Sequence, residues 1–180
     1  MKHRPDDARL VAIFNAVEAH IERRYGVPVV IKDVPAPFTG DLDGREIHVD
    51  YAVDPAEAVF IVAHLFGHTV QWNLSPEDRD VGMRFFANAT DAELARVRAY
   101  ERVACEYSLA LFHEAGVRDC DAWLSDFAAC DYAYLEHFYR TGEKRDFWSF
   151  WRDDAEPLVA RAIPPFAPTA WRARWSGVVV

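Results

Sequence analysis

The sequence predicts an α+β domain in which a small, mostly antiparallel sheet packs against helices, and three observations carry that prediction. The stretch 59–72 is almost wholly apolar, which is the pattern of a helix buried on most sides. Strand-like segments precede it between residues 27 and 51, two of them joined by the hairpin signal Asp43-Gly44. Helical periodicity then flanks this unit on both sides. With 180 residues, 51% of them hydrophobic, the chain can bury a core without disulfides and reads as a single domain over 1–180, its last part (163–180) an extended C-terminal tail.

Taken in order, residues 5–25 place Leu10, Ile13, Phe14, Val17 and Ile21 at helical spacing, with Asp6 and Asp7 early and Arg23 and Arg24 late, as the helix dipole favours. Gly26 ends that helix. Residues 27–34 are β-branched and bounded by Pro28, Pro35 and Pro37, so they read as a strand. A second extended piece, 38–42, turns at Asp43-Gly44 and returns through 46–51 with Ile47, Val49 and Tyr51 on one face. His48 falls on the other face and reads as a solvated strand residue. Asp54, Pro55 and Glu57 then open the central helix as cap, first-turn proline and first-turn acid.

Residues 73–80 break that helix, and 84–89 are irregular. Thr90 and Glu93 form a capping box for a helix over 92–115 that stops at Gly116. Residues 117–140 are again helical, with Trp123, Leu124, Phe127, Ala128, Tyr132, Leu135 and Phe138 at core-compatible spacing. After a turn at Thr141-Gly142, the aromatic group Phe147, Trp148, Phe150 and Trp151 is placed to wall a cleft or an interface. The proline-interrupted tail, with Trp171, Arg172, Arg174 and Trp175, lies back on the body or on a second copy of the chain.

Charge and cysteines narrow the function classes. A formal net charge of −9, with scattered basic residues, argues against a nucleic-acid backbone or an anionic membrane as partner. Cys105, Cys120 and Cys130 are odd in number and lack CxxC spacing, so they read as reduced, buried thiols. The first residues show no signal-peptide core, and no run reaches the length of a membrane span, so the expected location is cytoplasmic.

The chemistry begins with His64 and His68. Four residues apart on a helix, they stack one turn apart on one face, where two imidazoles can converge on a metal ion or can be satisfied core histidines. Gln71 shares that face. Gly67, inside the same helix, should cost about 1 kcal/mol relative to Ala and so marks a close approach by another backbone or side chain. On the following helix, Glu101 heads a face that continues through Ala104, Ser108 and Leu111, and a carboxylate on an apolar face needs a partner.

Helix, strand, hairpin, a helix with His64-x-x-Gly67-His68, and a next helix with Glu101-x-x-Ala104-x-x-Tyr107-Ser108-x-x-Leu111-Phe112 together resemble the small zincin metallopeptidases of the gluzincin kind, in particular the family that cleaves phage-type repressors. The likeness spans roughly residues 27–112. It implies a zincin-like fold and a zinc site made by His64, His68 and Glu101; the donor set itself, two imidazoles and a carboxylate, leaves Fe(II) or another divalent transition metal as the alternative. The family's glutamate after the first histidine, which moves protons in peptide hydrolysis, is Leu65 here. Leucine cannot carry a proton, and losing a positioned general base costs roughly 10²–10⁴ in rate.

Three readings follow. One is a metal-dependent, hydrolase-like enzyme with altered chemistry, in which Glu106, Tyr134 or His137 handles the proton and the substrate is a small molecule or peptide held in a cleft. Another is a 2-His-1-carboxylate Fe(II) enzyme. The third is a catalytically inactive zincin-fold binding module, which would use the strand 46–51 as its edge for β-addition. Glu106 lies about 140° around the helix from Glu101, so a surface or salt-bridged role stays open beside the catalytic one. A homo-oligomer through the aromatic C-terminal region is also open.

Overall fold

A computed structural model describes residues 1–36, 38–84, 86 and 88–175. Pro37 as a strand boundary, Phe85 and Ala87 in the irregular stretch, and the last five tail residues lie outside the described residues. The element order is α1 (Asp7–His20), a π turn (Ile21–Tyr25), β1 (Val29–Lys32), β2 (Gly40–Leu42), β3 (Ile47–Asp50), α2 (Pro55–Leu74), α3 (Pro76–Gly82), α4 (Asp91–Glu114), α5 (Asp121–Thr141) and a 3₁₀ turn (Phe147–Phe150). This is an α+β architecture. No described helix is long and apolar enough to cross a membrane.

Helix starts follow the capping chemistry in the sequence. The side chain of Asp6 accepts from Arg9 N, that of Asp54 accepts from Ala56 N and Glu57 N ahead of Pro55, and Thr90 and Glu93 close a capping box. Ser75, with Pro76 at the first position, converts the expected break after α2 into the short helix α3. Gly26 and Gly142 end their helices with φ of 65° and 72°, a left-handed conformation that glycine adopts without a Cβ penalty.

The sheet differs from expectation. Its order is β1-β3-β2, with β1 and β3 parallel and β3 and β2 antiparallel, so it is mixed rather than mostly antiparallel. The hairpin pairs β2 with β3 as its turn dictates, and β1 then adds to the other side of β3 (Val29 opposite Ile47, Ile31 opposite Val49). The strand expected to be an edge is therefore the centre. His48, on that central strand, is buried at 7% exposure rather than solvated, because Trp175 of the tail packs on its ring at 5.5 Å. Tyr51, expected on the core face, falls just past the strand and is 67% exposed.

Helix α2 is the centre of the molecule, touched by α1, α3, α4, β2 and β3. Its crossing with α4 is backbone to backbone. A Cβ on Gly67 would lie 2.2 Å from Ala104 O, which is the close approach that the glycine inside an apolar helix signalled. Polar links close the same crossing: Ser108 Oγ donates to Ala63 O at 2.9 Å, and Gln71 Nε2 donates to Tyr100 O at 2.9 Å. Phe66, Phe112, Trp123 and Phe127, all within the largest apolar cluster, fill the space around it.

From residue 151 to 175 the chain has neither helix nor strand. It runs as a strap over the body, pinned where Arg161 N donates to Glu106 O (3.1 Å), where Thr169 N donates to Asn73 Oδ1 (3.0 Å) and where Trp171 N donates to Asp43 O (2.7 Å). Among the described residues the tail therefore lies on its own chain.

Candidate metal centre

Two helices bring three acceptor atoms together. On α2 the side chains of Glu57, Phe60, Ile61, His64, Leu65, His68 and Trp72 recur every three or four residues and form one stripe along a cleft of about 440 Å³. From α4 the cleft receives Tyr100 and Glu101, and from α5 a second stripe of Phe127, Asp131, Leu135 and Tyr139, each four residues after the last. Where these meet, His64 Nε2 and His68 Nε2 are 3.0 Å apart, and each is 3.1 Å from Glu101 Oε2.

The protonation pattern around this triangle follows from its outer partners. The amide nitrogen of Gln71 donates to Tyr100 O, so its oxygen is the atom 2.9 Å from His68 Nδ1, and Nδ1 must carry the hydrogen. His68 Nε2 is thus a bare lone pair facing inward. His64 Nδ1 meets Cys105 Sγ at 3.4 Å, which leaves its Nε2 directed at Glu101. Three electron-rich atoms within 3.1 Å repel one another unless a proton or a metal cation is shared among them.

Their spacing fits a divalent ion: ligand atoms about 2.0–2.1 Å from one ion stand about 2.9 Å apart at octahedral and about 3.3 Å apart at tetrahedral angles. The observed 3.0–3.1 Å lies between these. His64, His68 and Glu101 therefore form a group that could hold a metal ion, and their spacing does not select which one.

Burial shapes the electrostatics. It pushes the Glu101 carboxyl up, but His68 and His64 outweigh it and hold that group well below the usual carboxylate range. Burial also opposes a charge on His64, yet Cys105 and Glu101 on its two sides hold the imidazole above its ordinary value. Asp131 Oδ2 stands 3.9 Å from His64 Nε2, and burial, aided by Glu101 and opposed by His64, pushes this carboxyl up to about 7.

The other sequence candidates divide. Tyr134 lines the cleft, whereas Glu106 and His137 do not. Glu106, turned away from Glu101 on α4, accepts from Arg102 Nε at 3.2 Å and from Arg161 Nε at 2.9 Å and so anchors the strap. His137 packs on Phe150 at 5.5 Å. Leu65 lies in the cleft wall, packed with Leu42, Trp72 and Tyr100, and its Cδ1 would be 3.0 Å from a Cβ on Gly40. The position that is acidic in the resembled family here supports β2.

Sequence reasoning gave no site role to Asp131, Cys105 or Tyr139. Asp131 interrupts the α5 stripe between Phe127 and Leu135, and a carboxylate on an apolar helical stripe was the available signal. Cys105 follows Glu101 by four residues on the same face. Tyr139 lines the cleft, and Glu101 and Asp131 add to burial in raising its hydroxyl above the ordinary value. Arg172 is a further addition: the strap brings it into the cleft wall, where it pairs with the buried Asp41 and its Nε donates to Leu42 O at 2.8 Å. No family model matches the sequence, and neither a curated protein nor a solved structure matches the chain.

Proposed function

We propose that the protein is a zincin-like, metal-dependent hydrolase in which Asp131 on α5 takes over the proton-handling role that Leu65 cannot serve. The observation that carries this reading is the near-equilateral triangle of His64, His68 and Glu101 atoms, with one further carboxylate 3.9 Å from its His64 corner. His64, His68 and Glu101 would hold the ion, which when bound supplies Lewis-acid polarisation of a substrate carbonyl and of water. Zinc suits two imidazoles and a carboxylate.

Asp131 has the position for the proton transfers. Its Oδ2, 3.9 Å from His64 Nε2, can accept a proton from an attacking water and return it to the leaving amine or alcohol. The substrate's carbonyl carbon then gains the water oxygen, and the leaving group departs with the proton. Gln71 and Cys105 hold the two imidazoles in place, and the apolar lining limits bulk water.

Metal analysis of protein purified without added metal, followed by assay on a mixed fluorogenic peptide library, tests the reading. The expected result is about one divalent ion per chain, at least tenfold less in His64→Ala, and a hydrolysis rate that falls at least 100-fold in Asp131→Asn while the metal is retained. A folded protein that takes up no metal would end the metal reading and favour a binding module. Iron as the resident ion would favour the Fe(II) alternative, and an unchanged rate in Asp131→Asn would remove Asp131 from its role.

A further inference from the structure

The two walls of the cleft differ in the chemistry they present to it. On the β2 side the polar groups already have partners: Arg172 with Asp41 and Leu42 O, and Trp72 Nε1 with Tyr100 Oη at 2.8 Å. On the α5 side the lining is a continuous run of rings that begins at a candidate ligand. Phe60 stacks on His64 with centroids 5.0 Å apart, Phe127 stacks on Phe60 at 4.0 Å, Phe147 meets Phe127 at 5.7 Å, and Tyr134 meets Phe147 at 5.5 Å.

Phe60 and Phe127 are fixed by burial, at 4% and 2% exposure, while Phe147 and Tyr134 are half-buried and leave ring surface toward the cleft. Two carboxylates border the same wall. Asp131 is beside His64, and Glu57 lies seven residues before His64 on the same helical face, about 10.5 Å along the axis.

We propose that this aromatic arm is a specificity pocket that seats an apolar, preferentially aromatic, group of the substrate beside the His64–His68–Glu101 centre and turns away acidic groups. The inference rests on the metal-centre reading above and names the substrate class for it. Ring faces and edges reward an inserted ring through buried area and tilted or stacked contacts. Glu57, in the cleft wall one stretch of helix away from the centre, repels an anion entering the arm, which sets the discrimination against acids.

Hydroxamates bind a metal through one headgroup and vary only in what they place beside it, so the cobalt-loaded protein can be titrated with a matched series and read by its visible spectrum. The series is acetohydroxamate, 3-phenylpropanehydroxamate, succinic acid monohydroxamate and 6-aminohexanehydroxamate. The phenyl compound should bind at least tenfold more tightly than acetohydroxamate, the succinyl compound more weakly than acetohydroxamate, and the amino compound less tightly than the phenyl one. Phe147→Ala should lower the affinity for the phenyl compound at least fivefold more than that for acetohydroxamate.

If acetohydroxamate binds but the phenyl compound gains nothing, or the succinyl or amino compound binds most tightly, the arm is not an aromatic pocket and the metal centre still stands. If no hydroxamate perturbs the cobalt spectrum, or no cobalt binds, the metal reading falls and the arm falls with it.

Discussion

The crossing of α2 and α4 and the strap over residues 151–175 both shape the cleft, and they are held by opposite kinds of force. At the crossing, backbones touch at Gly67 and Ala104, and every ligand of the candidate centre is placed by helical spacing on one of these two elements. The strap has no regular structure and is tied down by long-range polar contacts such as Arg172–Asp41, Arg174–Glu46 and Arg161–Glu106. Close packing is intolerant of added volume and indifferent to salt; charge pairing is the reverse. The ligand triangle should therefore survive damage to the strap, but not damage to the crossing.

Gly67→Ala breaks the comparison most severely. The new methyl would overlap Ala104 O, so the helices must part, with an expected loss of about 3 kcal/mol and at least a tenfold drop in metal affinity, checked by denaturant unfolding and metal titration. Arg172→Ala should cost less, about 2 kcal/mol, because Arg174 stays 3.7 Å from the buried Asp41; metal affinity should hold within twofold while proteolysis of the strap accelerates.

Acid titration sharpens the same contrast. A metal must displace the proton that His64 holds above its ordinary value of 6.5, so affinity should rise about tenfold per pH unit until the raised value is passed, as a metal titration between pH 6 and 8 would show. In metal-free protein the same shift stabilises the fold fully below the unfolded pKa of His64 and is lost as pH climbs through the folded one. Glu101, held low, acts in the other direction: its contribution is present above the ordinary carboxylate value and is lost as pH falls through the depressed one. The smallest effect belongs to Glu156→Ala, whose carboxylate is 73% exposed and meets Arg102 at 3.3 Å; stability should move by no more than about 0.5 kcal/mol, within what a denaturant curve resolves.

This division also explains which parts could be read from residue order. His64, His68 and the buried stripe of α2 are legible because helical periodicity is local, and Gly67 announced a close contact without naming Ala104. Glu101 stood out as a carboxylate on an apolar face, and resemblance, rather than spacing, suggested its ligand role. The pairing of β1 with β3, the approach of Asp131 and the path of Arg172 depend on how separate elements meet, which no local pattern encodes. His48 shows the cost most plainly: its alternation in β3 pointed it at solvent, and Trp175, 127 positions later, covers it.

The strap has a consequence for synthesis. Arg172 is translated after every helix and strand it touches, so a growing chain already possesses its three ligands and Asp131 while the β2 wall still lacks its last support. A nascent polypeptide that captured an ion before Arg172 emerged would do so in a trough whose β2 wall was still unbraced.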